Sequence, residues 1–352
     1  TDNMAYSDIK DPSAHFQTKT YTGTNNSNAL TNDGNSDLKP DFIWIKRRDS
    51  NNGHQLLDST RGVDKILGSE LNSAETTLAN RLSSFDTDGF TVESSSGAFN
   101  ASGEPFVAWQ WKANGGTTSS NTTGTITSTV QANTDAGFSI VTWAGTASTA
   151  TIGHGLGVAP KVVLVRARDK NVPTSWIMFH KDGSTSDDDY LILQGTFAKN
   201  SQAGLWNNQY PSSTVFGIAN DFWVNSASTN YLAYCFAEKQ GYSKFGKYVG
   251  NGNANGSFVY TGFKPAMIIL KRTDATNNWL IYDHKRSGYN PKQDKLYPDD
   301  ASAEDASTTS VDLLSNGFKL RASSASQNAS GGTYIYMAFA ENPFVAGGIP
   351  TT

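Results

Sequence analysis

The sequence predicts an all-β protein made of three tandem β-sandwich units of jelly-roll-like form. Three observations carry this. First, one ten-residue phrase occurs three times: PDFIWIKRRD at 40–49, PKVVLVRARD at 160–169 and PAMIILKRTD at 265–274. Its pattern is Pro, a variable residue, four apolar residues, a basic residue, two variable residues and Asp, without gaps. Second, each phrase has the same company. An aromatic-x-Gly begins 17–19 residues before the Pro (Tyr21, Trp143, Tyr248), and an aromatic-rich segment begins 66, 71 and 69 residues after it (Phe106, Tyr231, Tyr334). Third, helix signals are scarce. Asp88-Gly89 and Asn316-Gly317 instead place tight-turn residues ahead of Phe90 and Phe318, because Gly and Asn enter left-handed geometry at little cost.

The elements follow in order. Each phrase is a short, continuous apolar run with Pro at its entry, where a strand tolerates it, and reads as a strand buried on both faces. A second apolar run ends at Asp58, His180 and Asp283, 18, 20 and 18 residues after the Pro. WLIYD and YIYMAFAE are too short for core helices and rich in β-formers. Units one and three also share Ser73-Ala74-Glu75 with Ser302-Ala303-Glu304, and Asn100-Ala101-Ser102-Gly103 with Asn328-Ala329-Ser330-Gly331. Five or six strands per unit would hide their apolar faces by stacking two sheets. One helix is predicted over 72–84, with Ser73 as its cap and Leu78 and Leu82 on one face. The period of about a hundred residues exceeds the roughly 20–50 of a solenoid and predicts independent domains on a string. The divisions are an N-terminal arm at 1–14, units at 15–116, 130–242 and 243–345, and a tail at 346–352. Residues 117–129 are read as a flexible Gly/Ser/Thr linker, and the shorter join near KQGYSKFG predicts more rigid packing of units two and three.

Composition bounds the function. Of 352 residues 37% are hydrophobic and 11% aromatic, too aromatic for a disordered chain. The net charge of −4 argues against a general nucleic-acid binder, which draws its affinity from a basic excess. Cys235 is the single cysteine, so packing rather than a disulfide framework holds the chain. No apolar run is long enough to insert in a membrane, and TDNMAYSDIK shows no secretory signal.

Several groups could carry chemistry. GHGLG at 153–157 precedes a strand rather than opening a helix, so it reads as a turn and not a phosphate loop. His154 has no counterpart in the other units. His54 and Asp58 have the spacing of a base and its orienting partner but stand at opposite ends of one predicted strand. The acidic loops, with Asp182, Asp187, Asp188 and Asp189 and with Asp299, Asp300, Glu304 and Asp305, match no EF-hand spacing. The basic exits Lys46-Arg47-Arg48, Arg166/Arg168 and Lys271-Arg272 read as charges that block edge-to-edge pairing. No catalytic residue, metal site or cofactor is assigned. The segment LWNNQYPSSTVFG at 205–217 is read as an insertion peculiar to unit two, and its Trp206, Asn207, Asn208, Gln209 and Tyr210 are the candidate ligand-binding residues; planar aromatics beside amides suit sugar rings and equally a packed loop or contact surface.

IGHGLGVAPKVVLVRARD resembles the His-x-Leu-Gly-x-x-Pro-strand phrase of tail-fibre and appendage proteins of tailed bacteriophages. With AHFQTKTYTG, PDFIWIKRR, LLDSTRG, FDTDGFTV and FVAWQWKANGG, the plan from His15 to Phe344 resembles repeat-containing structural proteins of marine phages. Unit two departs most, lacking the Asp-x-x-Arg-Gly of Asp58 to Gly62 and carrying Asn220-Asp221 where Gly is expected. The resemblance transfers no catalytic residue. It implies a virion structural protein made in the host cytoplasm and exposed on the particle surface, a tail-fibre or spike component for host attachment. Its implied partners are other virion proteins, further copies of itself (a trimer among the options) and a host surface glycan or protein. The rivals are a capsid-decorating protein, favoured by the absence of coiled-coil heptads, and a glycan-degrading tailspike enzyme, which would need paired carboxylates.

Overall fold

The computed structural model describes residues 7, 9–93, 96–169, 175–308, 310–342, 345–346 and 349–350. The arm residues 1–6 and 8 and the tail residues 347–348 and 351–352 lie outside the described residues. The fold is all-β. The three phrases form the strands Phe42–Arg47, Val162–Ala167 and Met267–Arg272, which are equivalent. Each lies between the same two neighbours. On one side is the closing strand, Pro105–Trp111, Asn230–Phe236 or Thr333–Phe339; on the other is Gln55–Asp58, Ile177–His180 or Leu280–Asp283. The register repeats too, with Phe42, Val162 and Met267 opposite Trp111, Phe236 and Phe339, and opposite Asp58, His180 and Asp283. Phe16–Thr22, Phe138–Ala144 and Ser243–Val249 complete each four-strand core sheet.

A smaller sheet covers one face of each. In unit one it is Asn28–Leu30, Gly89–Val92 and Leu82–Asp86; in unit three it is Phe258–Tyr260, Gly317–Leu320 and Val311–Leu314. Among the described residues of unit two this sheet has two strands, Ala150–Gly153 and Val215–Ile218. Side chains alternate across a strand, so Ile43, Ile45 and Leu57 meet Phe90 and Val92, Val163 and Val165 meet Phe216 and Ile218, and Ile268 and Leu270 meet Phe318 and Leu320. Two sequence expectations are corrected here. Residues 72–84 form no helix: Thr76–Thr77 and the start of Leu82–Asp86 are strands, Leu78 is exposed and Leu82 buried. Leu82 is held by the unit-one core, while Glu75 N–H reaches the Arg168 carbonyl of unit two (2.6 Å), so the chain is drawn out straight. The Gly-equivalent position in unit two is Val215, not Asn220-Asp221, because Phe216 pairs with Ile152 as Phe90 pairs with Leu30.

The other face of each large sheet is also apolar, and these faces meet in one shared core. Phe42, Trp44 and Trp109 of unit one, Val162, Leu164 and Tyr234 of unit two, and Met267, Ile269 and Met337 of unit three belong to it. Trp111, Phe236 and Phe339 close a triangle, with ring centroids 6.4, 5.5 and 5.7 Å apart. The units form a closed ring, not independent domains on a string. A unit alone would expose several large apolar side chains, each contributing about 1.5–3 kcal/mol when buried. The segment expected as a flexible linker is largely built into unit two: Ser119–Asn121 and Ser128–Asn133 pair and extend its large sheet. The arm is docked as well, with Ile9 in the shared core and Ser7 Oγ donating to the Gln240 carbonyl (2.7 Å).

Candidate functional site

Side-chain bonds from the inner strand ends to a neighbouring unit run mostly in one direction round the ring; His180 to the Tyr336 carbonyl and Arg61 to Tyr234 OH run the other way. Trp176 Nε1 of unit two donates to the Gly68 carbonyl of unit one (2.8 Å). Trp279 Nε1 of unit three donates to Ile192 of unit two (3.0 Å), and His54 Nε2 of unit one donates to Tyr297 of unit three (2.9 Å). Tyr234 OH of unit two donates to Asp58 Oδ2 (2.8 Å), and Trp109 Nε1 of unit one donates to Asp283 Oδ2 (3.0 Å). Behind each aspartate runs a chain of charges. Asp58 holds the fully buried Arg61, which reaches Glu75 (2.8 Å), which takes Arg168 of unit two (2.9 Å). Asp283, Arg286 (2.8 Å from Glu304), Glu304 and Arg48 of unit one (2.7 Å from Glu304) repeat the chain. Burial pushes the Asp283 carboxyl up, but Arg286 outweighs it and holds it below the usual range. For Glu75, burial is outweighed by Arg168 and Arg61 in the same way.

The basic exits therefore do not guard a sheet edge as expected. Lys46, Arg166 and Lys271 are buried, and Arg48 and Arg168 clamp adjacent units. The histidines are structural. His54 Nδ1 accepts from Trp44 Nε1 (2.8 Å), and Asp58 faces Arg61 instead of the imidazole. His154 donates to the Ser212 carbonyl (3.2 Å) and accepts from Leu156 N–H (3.3 Å). Burial pushes these rings down, to about 3 for His54 and about 4 for His154, so both are neutral near pH 7. The acidic loops are held by protein donors: Asp189 accepts from Thr185 N–H and Lys199 Nζ, Asp299 from Trp279 N–H, and Glu304 takes Arg286 and Arg48. Among the described residues no group of three or more His, Cys, Asp or Glu is placed to hold a metal. No helix there is long and apolar enough to cross a membrane.

The expected ligand segment divides. Trp206 is 1% exposed, packs edge-on against Phe179 and donates Nε1 to the Asp189 carbonyl (3.1 Å), so it is a core residue rather than a contact residue. Asn207 and Asn208 turn the chain with φ of 57° and 50°. Asn208 and Tyr210 are exposed and Gln209 half-buried. Lys181 Nζ lies 3.2 Å from the Tyr210 ring centroid and occupies that face. Nor is the whole segment an insertion, since Val215–Ile218 is the counterpart of Gly89–Val92.

The surface peculiar to unit two is instead a turn that the sequence reading missed. Three equivalent asparagines latch three equivalent loops: Asn100, Asn225 and Asn328 accept through Oδ1 from Thr24, Thr146 and Asn251 N–H. Their own N–H groups bond the carbonyls of Ser96, Asp221 and Ser324. This places Phe222-Trp223 where unit one has Gly97-Ala98 and unit three has Ala325-Ser326. Phe222 is 45% exposed and Trp223 half-buried, with ring centroids 5.1 Å apart; Tyr190 lies 5.3 Å beyond Trp223. Asp221 accepts from Trp223 N–H (2.7 Å) and Gln202 Nε2 (2.9 Å). Aligning Asn225 with Asn100 and Asn328 would have exposed the substitution.

Fold and site together define a class: a single-chain ring of three two-sheet β units, with one unit bearing an aromatic surface turn. The chain belongs to the family described as a domain of unknown function (DUF7483), whose model matches residues 11–343. No curated protein and no solved structure matches it.

Proposed function

We propose that the protein is a structural protein carried on the outside of a bacteriophage particle, a tail-fibre or spike component that acts by contact with the host. The supporting observation is where its ionisable groups lie. The buried Asp58, Arg61, Asp283 and Arg286, with His54 and His180, fasten one unit to the next, and the surface departures are concentrated in unit two. Acid–base chemistry needs particular groups at particular distances, whereas His180 stands where Asp58 and Asp283 stand. The sequence resemblance to phage appendage proteins supplies the setting. A capsid-decorating role is the second reading, favoured by the threefold ring, a form that fits a threefold lattice position on a shell. Immunogold labelling of intact particles separates the two: gold on the tail supports the first, gold on the head the second, and unlabelled particles overturn both. Release of reducing sugar from host surface polysaccharide by the purified protein would overturn action by contact.

A further inference from the structure

The Asn latch of unit two's turn does not require aromatic side chains, although Trp223 also packs against the edge of the unit-two core. Units one and three close the same Asn-latched loop with Gly97-Ala98 and Ala325-Ser326. The backbone role of the position is also preserved, because the Phe222 carbonyl accepts from Tyr231 OH (3.0 Å) as the Ala325 carbonyl accepts from Tyr334 OH (2.8 Å). The side chains of Phe222 and Trp223 are therefore surplus to the latch, and Phe222 is left 45% exposed. Large exposed aromatic rings mark contact surfaces.

We propose that Phe222 and Trp223, with Asp221 and Gln202, form a binding platform for a neutral saccharide; this rests on the host-contact reading above. The polar groups fix the chemistry. An ionised carboxylate has about four lone-pair sites, and Asp221 uses one on Trp223 N–H and one on Gln202 Nε2. The remaining sites accept hydroxyl protons. Asn220 is exposed at the same turn. The C–H face of a pyranose ring covers an aromatic ring while its hydroxyls reach the rim, the pairing of apolar body and placed polar groups that small-molecule sites use. Charge excludes acidic glycans: Asp188 accepts from Gly204 N–H, two residues from Gln202. Among the described residues Asp221 is in no ion pair that would soften this repulsion.

The test uses the full chain and three neutral hexasaccharides, of β-linked glucose, galactose and mannose, with a sulfated galactan hexasaccharide as the acidic probe. Binding is read by isothermal titration. The variants Phe222→Ala and Trp223→Ala carry residues found at these places in units three and one, so the latch closes and the fold is checked by its melt. Saturable binding of at least one neutral probe, weakened about ten-fold or more in each variant, is expected. No binding of any neutral probe, equal binding by the variants, or binding of the sulfated probe alone overturns the proposal. Attachment of the protein to host cells is measured separately. Attachment that survives both substitutions leaves the host-contact reading standing and removes the platform. Saccharide binding without attachment does the reverse.

Discussion

The ring closes through three interfaces, and one is built differently. Between units one and two, and between units three and one, a chain of Asp, Arg, Glu and a partner Arg runs across the contact. Between units two and three every member is replaced: His180 for Asp, Gly183 for Arg, Lys199 for Glu and Thr273 for the partner Arg. The backbone contact is kept. Lys199 N–H bonds the Thr273 carbonyl (2.8 Å) as Glu75 bonds Arg168 and Glu304 bonds Arg48 (both 2.6 Å). Met337 stands where Trp109 and Tyr234 donate, and His180 instead gives its Nε2 proton to the Tyr336 carbonyl (3.2 Å) while Nδ1 accepts from Gly183 N–H (3.1 Å). Units two and three are joined by the short stretch Glu238–Tyr242, with Tyr242 N–H on the Lys239 carbonyl. A short tether gives its ends a high effective concentration, so this contact needs least from side chains. The contact between units three and one has no tether, and there Arg48 reaches Glu304 across 256 residues of sequence.

Breaking a charged interface should cost most. Arg286→Met leaves Asp283 buried and uncompensated, and such losses run to about 3–5 kcal/mol; denaturant unfolding should show it. In the third interface, Thr273→Val, at the place of Arg48 and Arg168, breaks no charge pair and should cost far less, and equal costs would mean the chains are not what distinguishes the interfaces. Truncation in the cores comes next. Ile268→Ala, inside unit three, and Ile269→Ala, in the shared core, should each cost about 2–5 kcal/mol. An unchanged melt for Ile269→Ala would show that the units do not pack through that face.

Acid should act on the third interface by another route. Burial pushes the His180 ring down to about 4. The folded state thus binds its proton later than the unfolded chain, whose imidazole titrates near pH 6.5. The stability this gives is whole above about pH 6.5, and falls by up to about 1.4 kcal/mol per pH unit down to about pH 4. Below that it falls no further. His180→Gln should flatten the stability–pH slope in that window, leaving the contributions of His15, His54 and His154, which burial also pushes down; an unaltered slope would remove His180 from the account.

Much of this was legible in the chain. The Pro-led phrase, its partner runs and the closing strand are strands in equivalent places, because a run of β-formers between turn residues has few alternatives. Tyr21-x-Gly23 and its two relatives are legible in hindsight. A side chain at Gly23, Gly145 or Gly250 would collide with the backbone carbonyl of Ala101, Ser226 or Ala329. The closed ring was not read, although its sign was present. A sandwich strand needs one apolar face, and Phe42–Arg47 and its relatives are apolar on both; the second face belongs to the neighbours. Glu75 and Glu304 were matched in sequence, but their arginine partners in the neighbouring unit, Arg168 and Arg48, lie 93 and 256 residues away, beyond what local pattern can pair. Trp206 misled because flanking Asn and Gln residues describe the loop and not the direction of the ring.

Scanning calorimetry of the full chain tests most directly whether the three units are one body. The shared core and the two buried charge chains predict a single transition, with the calorimetric enthalpy equal to the van't Hoff enthalpy, that Arg286→Met shifts as a whole. Two or three separate transitions, with Arg286→Met moving only one of them, would contradict the ring and return the chain to independent domains.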